Sequence, residues 1–518
     1  MKAFAYVRTA LIGASGLVAV ACFISTTTRP VAVQKGGPPA RLTRVPVKAH
    51  LMNGDVVMFR AGVKVGNGIA TGMGERFTLT RAAGQPVSSV ALDSVLGFEV
   101  YERQVNPART LLYGVMGTAA TGAAIVGGSI AIFGSCPTIY ADSAGIPMLQ
   151  AESFSQSIAP LLAVRDVDRM SLTPDGRGVV RLSVQNEALE THHLDQLQLI
   201  EVRHDANEVA LPSPIGGLMA VGSIVSAGSI RDAAGRDVSI PLARTDGVVF
   251  SSDGALLERA VAGGPTRDHL LITTAKPAGQ DSVALVLRAR SSLLSTAILY
   301  DYMLGRPGAS ALDWLGRDLS QIANVVQLAT WHAEHFGMRV EVLDGERWLP
   351  VARVIAFGPV AWSDIGVAVP AVGGDSVRMR VSFTVDEFRI DRVAIAQRVR
   401  RVEPRNITAA RAFDNHGVPR DDMVPMLARA DDRDVETHPG DHFSIEFDVG
   451  VAPSDTRTFM LASQGYYTEW VRGKWMKTAT DSLPFSPART SMHDVLRTWQ
   501  ASKDTLEQHF FQRRVPIS

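Results

Sequence analysis

The sequence predicts a mainly β protein: several antiparallel β-sandwich or barrel modules, with a hydrophobic Gly/Ala-rich helical segment and a few amphipathic helices. Three observations predict it. Short runs that alternate apolar and polar residues recur between Asn-Gly, Gly-Asn and Ala-Gly breaks, the period of half-buried strands. No Gly-rich loop stands between a strand and a helix, as a nucleotide-binding unit requires. A length of 518 residues with 46% hydrophobic side chains supplies several cores rather than one.

Residues 1–22 read MKAFAYVRTALIGASGLVAVAC, with Lys2 and Arg8 as a positive end, an uncharged run from Thr9 to Val20, and small residues before Cys22. This is a secretory signal pattern, assigned to residues 1–21 and set aside from the fold. Ala19-Val20-Ala21 suits ordinary cleavage. The same small residues before Cys22 also resemble a bacterial lipobox, although Ala19 stands where the ideal has Leu. Cys22 is therefore the expected lipid-attachment residue, with membrane lipid as the partner it implies. Ordinary cleavage and an uncleaved signal anchor stay open, and each leaves the chain in the cell envelope, facing the periplasm or cell surface. Residues 22–45, with Pro30, Pro38, Pro39, Gly36 and Gly37, read as a flexible tether.

Residues 46–106 carry VPVKAHL, DVVMFRAG, RFTLT and VLGFEVYE, and predict a small β domain. Residues 107–134 follow as a hydrophobic contact segment. Its stretch Thr110 to Gly134 has 25 residues without a charge, long enough to span a bilayer. The run is mostly Gly and Ala, and a single crossing would send nearly 400 residues to the other side. The preferred expectation is a segment lying in the membrane surface or against a membrane-protein complex; a true span and an internal core helix stay open. Cys136 reads as a buried thiol.

Residues 135–280 read as a β-rich domain with long loops. Within 281–400, SVALVLRAR opens a run of strands, Asp344-Gly345 marks a turn, and GVAVP and FRIDRVAIA close it. The order of a Trp-containing strand, GVAVP and FRIDRVAIA resembles galactose-binding-like β-sandwiches over about 115 residues. Members of that group bind sugars, lipids or proteins, so the resemblance implies architecture more than ligand. A helical insertion is expected at 310–336, where Leu312, Leu315, Leu319, Ile322 and Val326 recur three or four apart. Ser310 and Asp313 fit its start and Gly337 its stop. Residues 401–475 predict a C-terminal β domain, and 476–518 an extension with a helix over 492–511.

Four further strings are SCPTIYAD at 135–142, RDVDRM at 165–170, NEALETHHLDQLQLIEV at 186–202 and SQGYYTEW at 463–470. Together they resemble a group of uncharacterised bacterial envelope lipoproteins. That resemblance implies the compartment and a β-rich plan, and brings no catalytic residue.

Equal numbers of basic and acidic residues, 52 each, argue against nucleic acid as a partner. Two cysteines build neither a disulfide scaffold nor a four-thiolate metal site. His332, Glu334 and His335 lack HExxH spacing, so no metal site is assigned. Glu187, Glu190, His192, His193 and Asp195 read as a strand-connecting turn, and Asp431, Asp432, Asp434 and Glu436 as a solvated one. Trp348 and Trp362, with Trp331 near them in sequence, are the ligand-binding candidates, suited to a glycan by ring stacking. No catalytic residue and no cofactor is assigned. The expected role is a non-enzymatic, membrane-anchored binding or scaffold subunit, with a carbohydrate-binding protein and a hydrolase of dispersed site as alternatives.

Overall fold

A computed structural model describes residues 26–36, 39–77, 85–105, 137–510 and 517, except 144–145, 215–216, 356, 373, 432, 454–455 and 478. The signal at 1–21, Cys22, the whole segment 107–134, Cys136 and Asp432 lie outside the described residues. Among the described residues, strands form five antiparallel sheets, as the mainly β reading requires. None of the described helices is long and apolar enough to cross a membrane.

The first sheet holds β1 (Thr26–Gln34), β2 (Val47–Leu51), β3 (Val56–Phe59), β4 (Lys64–Gly66), β5 (Ile69–Phe77), β6 (Gln85–Ala91) and β7 (Val95–Val105). Its order is β1-β7-β2-β3-β5, with β4 and β6 both on β5. It curls around Val47, Phe59, Phe98 and Val100. Gly74 permits the curl, since a Cβ there would stand 2.7 Å from the Phe59 ring. The segment read as a tether, 22–45, behaves differently: its residues 26–34 are β1, paired along β7 from Thr26↔Val105 to Gln34↔Gly97. Val31 and Val33 alternate into the core, and Pro30 is tolerated because β1 is an edge strand.

The chain next lays down β8 (Thr138–Ser143), β9 (Ile146–Glu152), β10 (Val164–Met170), β11 (Val179–Gln185) and β12 (Glu190–Arg203). It then builds β13 (Glu208–Pro212), β14 (Leu218–Ser226), β15 (Ser229–Asp232), β16 (Arg267–Ala275) and β17 (Ser282–Ser291). After a helical stretch come β18 (Met338–Asp344), β19 (Arg347–Val354), β20 (Ser363–Pro370), β21 (Ser376–Thr384) and β22 (Phe388–Arg401). The last strands are β23 (Arg405–Ile407), β24 (Arg411–Phe413), β25 (Val435–Thr437), β26 (His442–Asp448) and β27 (Arg457–Glu469).

Two sandwiches result. In one, β10-β27-β12-β23, with β25 on β12, shares a core with β24-β26-β11-β8-β9 around Leu182, Leu197, Ile445 and Phe447. In the other, β13-β14-β22-β17-β20 shares a core with β15-β16-β21-β18-β19 around Leu285, Met379, Phe383 and Ile395. The pairing crosses the boundaries read at 280/281 and 400/401. Strands β13 to β16 join the 281–400 region, and β23 to β27 complete the sandwich begun by β8 to β12. The reason is burial: β12 and β27 are covered on both faces, so each needs neighbours that no local hairpin supplies.

The helices are α1 (Gly254–Val261), α2 (Leu294–Ala297), α3 (Ser310–Asp313), α4 (Ile322–His335), α5 (Met423–Leu427), α6 (Gly473–Lys477) and α7 (Met492–His509). Apart from α5, which fills the first sandwich, they gather around Trp314, Trp331, Trp475 and Trp499. The helix expected over 310–336 is broken. A wide turn at Trp314–Asp318 ends with the Leu319 N–H bonded to Trp314 O at 2.9 Å, and α4 starts afresh at Ile322. The break fits two constraints. Gly316 lies so close to the Ala32 carbonyl of β1 that a side chain would collide, while Ile322 and Val326 of the stripe remain exposed. Gly337, at φ +83°, stops α4 where expected.

Candidate functional site

Strand periodicity places Lys48 and His50 on the face of β2 opposite Val47 and Ala49, and Glu99 beside Lys48 on β7. Such a face is normally wet. Here the first sandwich covers it, and Lys48, His50 and Glu99 are all buried. The Lys48 Nζ lies 3.2 Å from one Glu99 oxygen and donates to Thr191 Oγ1 at 2.9 Å. The other Glu99 oxygen is 3.2 Å from His50 Nε2. Thr191 also accepts the Trp470 indole N–H at 3.0 Å. Around this contact Val56 and Met58 pack on Trp470.

The same seam continues along β12. His192 Nε2 is 2.9 Å from Glu190, and the His193 ring stacks on Tyr466 at 4.4 Å. At the rim Glu436 is paired opposite His193 and lies 3.2 Å from His438, whose ring stacks on Phe77 of the first sheet at 5.5 Å. On the inner side Glu469 faces Arg472 at 3.6 Å, and Arg472 lies over the rings of Tyr300 and Trp475. A partly open cavity of about 40 Å³ lies there, lined by the polar His50, Glu99, Thr468 and Glu469 and by the apolar Phe98 and Leu312. Within it the His50 Nδ1 and Thr468 Oγ1 make no hydrogen bond to the described residues, whereas Glu469 is hydrogen-bonded by Tyr300.

Burial and pairing set the charges. Burial would raise the Glu99 carboxyl, but Lys48 and His50 hold it down at about 2. Burial lowers His50 and His193, and lowers His192 to about 3, so these imidazoles are neutral. Burial, with Glu190 nearby, pushes Glu469 up to about 8 against the pull of Arg472. His438 goes the other way: although burial lowers it, Asp441 and Glu436 raise it overall.

Two further junctions repeat the pattern. Between the sandwiches, Asp168 accepts from Ser363 Oγ at 3.2 Å, Glu152 accepts from Val360 N at 2.7 Å, and Arg169 and Arg288 each reach Asp364 at 3.1 Å. Burial pushes Asp166 up to about 6, and burial beside Asp166 and Glu152 raises Asp168. Between the second sandwich and the helices, Asp386 accepts from Trp499 Nε1 at 2.8 Å and pairs with Lys503 at 2.7 Å. Buried Glu387 is pushed up to about 7.

The residues singled out from sequence separate in space. Trp348 lies on β19 with Arg380 over its ring at 4.6 Å, and Trp362 precedes β20 with Arg290 over its ring at 5.3 Å. They belong to different sheets, and Trp331 is buried in the helical layer, so the three form no common platform. His332 stacks on Phe336 at 5.0 Å, and burial lowers it to about 3. Among the described residues no group of three or more His, Cys, Asp or Glu is placed to hold a metal ion. The Glu187–Asp195 cluster is corrected from a turn to mostly strand: Glu190 to Asp195 lie in β12, buried. Glu187 alone holds a connecting role, accepting from Thr138 Oγ1 and Tyr140 OH at 2.7 and 2.8 Å. The solvated turn read over Asp431, Asp434 and Glu436 is half-buried instead: Asp431 pairs with Arg433 and its N–H donates to Asp195 at 2.6 Å, Asp434 lies 4.0 Å from His193, and Glu436 faces the seam. Lys48, His50 and Glu99 were missed. Their signal is a charged second face on strands whose first face is apolar, which looks the same whether water or another module covers it.

No protein-family model and no curated protein matches the chain. Among solved structures, a GH31 alpha-xylosidase from Xanthomonas citri aligns at 10% identity with a TM-score of 0.16, over 84% of this chain and 38% of that one. The infectious bursal disease virus Gt strain structure aligns at 9% identity with a TM-score of 0.12, over 93% of this chain and 89% of that one. The chain thus spans well under half of the xylosidase, and likeness at these scores carries no argument about fold or activity.

Proposed function

We propose that the chain is a non-enzymatic, membrane-anchored envelope lipoprotein acting as a binding or scaffold subunit on a membrane or a membrane-protein complex. One observation carries the reading: a buried cluster of titratable side chains joins the first sheet to the first sandwich around a cavity of only about 40 Å³. Sites for small organic substrates occupy roughly 300–1,000 Å³. The groups with perturbed acidity therefore act as joints between modules, which is what a rigid scaffold requires. The signal pattern before Cys22 and the uncharged stretch at 110–134 support the membrane attachment, and the resemblance to envelope lipoproteins supports the compartment. Glycan binding through Trp348 or Trp362 finds less support, because a guanidinium already occupies one face of each ring.

Fractionation tests the proposal. The unmodified protein is expected to stay with membranes through a high-salt wash and to leave only with detergent, and Cys22→Ser to weaken that retention. Release by salt alone would overturn the reading.

A further inference from the structure

The register of β1 and β7 carries a geometric consequence. Strand β2 pairs with β7 only as far as Val47↔Val100, whereas β1 continues alongside β7 to Thr26↔Val105. Residues 26–30 and 101–105 therefore form a two-stranded arm that runs five residue pairs past the body of the sheet, about 17 Å at the rise of a strand. Cys22 precedes the arm's first residue by four positions, and the uncharged stretch begins five positions after its last. Those links span at most about 14 and 18 Å. Both apolar parts of the sequence thus start from one end of one ribbon.

The rest of the chain fixes the side. Residues before and after the uncharged stretch belong to one packed body: Lys48 bonds Thr191 at 2.9 Å, and Gln34 Nε2 donates to Asp313 at 2.8 Å. A single crossing between Val105 and Thr138 would put those partners on opposite sides of a membrane. Two crossings need roughly 40 apolar residues, and the stretch from Thr110 to Gly134 has 25.

We propose that the tip of the β1–β7 arm is the membrane-docking end of the molecule and that its partner is a lipid bilayer surface, with the sandwiches held on one side at the distance the arm sets. This rests on the anchored reading above and adds the face, the stand-off and the single-sided topology.

The test uses the full mature chain with Cys136→Ser, reconstituted with vesicles of phosphatidylethanolamine and phosphatidylglycerol. A fluorophore is placed by Thr28→Cys or Arg103→Cys on the arm, or by Lys35→Cys in the exposed turn at the ribbon's other end. Lipids carrying a headgroup nitroxide are expected to quench both arm positions at least threefold more than position 35, in variants whose near-ultraviolet circular dichroism matches the parent. Equal or greater quenching at position 35 in protein that floats with vesicles would overturn the arm proposal and leave anchoring intact. Failure of the unlabelled parent to float would overturn the anchored reading itself, and the arm proposal with it.

Discussion

Lys48 shows how one side chain couples modules. Its ammonium is buried between Glu99 and Thr191, so its removal leaves a carboxylate in the seam with only a neutral imidazole beside it. Breaking a buried pair from one side costs about 3–5 kcal/mol, whereas replacing both partners with apolar groups is often neutral. Lys48→Met is therefore expected to lose stability in that range in urea titrations, and Lys48→Met with Glu99→Leu to recover most of it. A double variant as unstable as the single one would show that the pair does not act as a unit. Glycine 316 makes a sharper local case. Gly316→Ala places a methyl against the Ala32 carbonyl, and overpacking of this kind costs about 1–3 kcal/mol; an unchanged urea midpoint would contradict the close approach.

At the scale of elements, period two and turn dipeptides made the strands legible, and their pairing was not. VKAHL and GFEVYE announce β2 and β7, yet Lys48, His50 and Glu99 look like a solvent face until another module covers them. LDQLQLIEV and TRTFMLASQGYYTE announce β12 and β27, but their pairing joins residues more than 250 apart, which no local pattern encodes. Three of the strings carrying the lipoprotein resemblance become adjacent strands, β10-β27-β12, and the fourth supplies Thr138 and Tyr140 to Glu187. The tether reading failed because Pro and Gly near residues 36–39 outweighed the short alternation of Val31 and Val33. That strand has a direct check: amides of Val31 and Val33 should exchange with solvent as slowly as those of β2. Exchange within seconds would restore the tether.

For the whole molecule, buried joints tie stability to pH in two opposed ways. His192 and His332, ordinarily near 6.5, are lowered to about 3, so the unfolded chain takes up protons first and stability falls as pH drops below 6.5. Glu469, Glu387 and Asp166 are raised to about 8, 7 and 6 from 4.5, 4.5 and 3.8; their contribution is present at low pH and is lost as pH rises through those values. Glu99, lowered to about 2, adds a loss below 4.5. Thermal midpoints should peak between about pH 4.5 and 6.5 and fall on both sides, and Glu469→Gln should flatten the alkaline fall. A midpoint rising steadily to pH 8 would contradict these assignments. The central claim, a rigid non-enzymatic scaffold in the envelope, is tested most directly by purifying the mature chain from its native membranes in gentle detergent and measuring the mass and composition of the particle. The account predicts discrete partners in fixed ratio to this chain, or co-purified lipid where the bilayer itself is the support; a lipid-free particle containing the chain alone, across detergents that preserve other membrane assemblies, would contradict it.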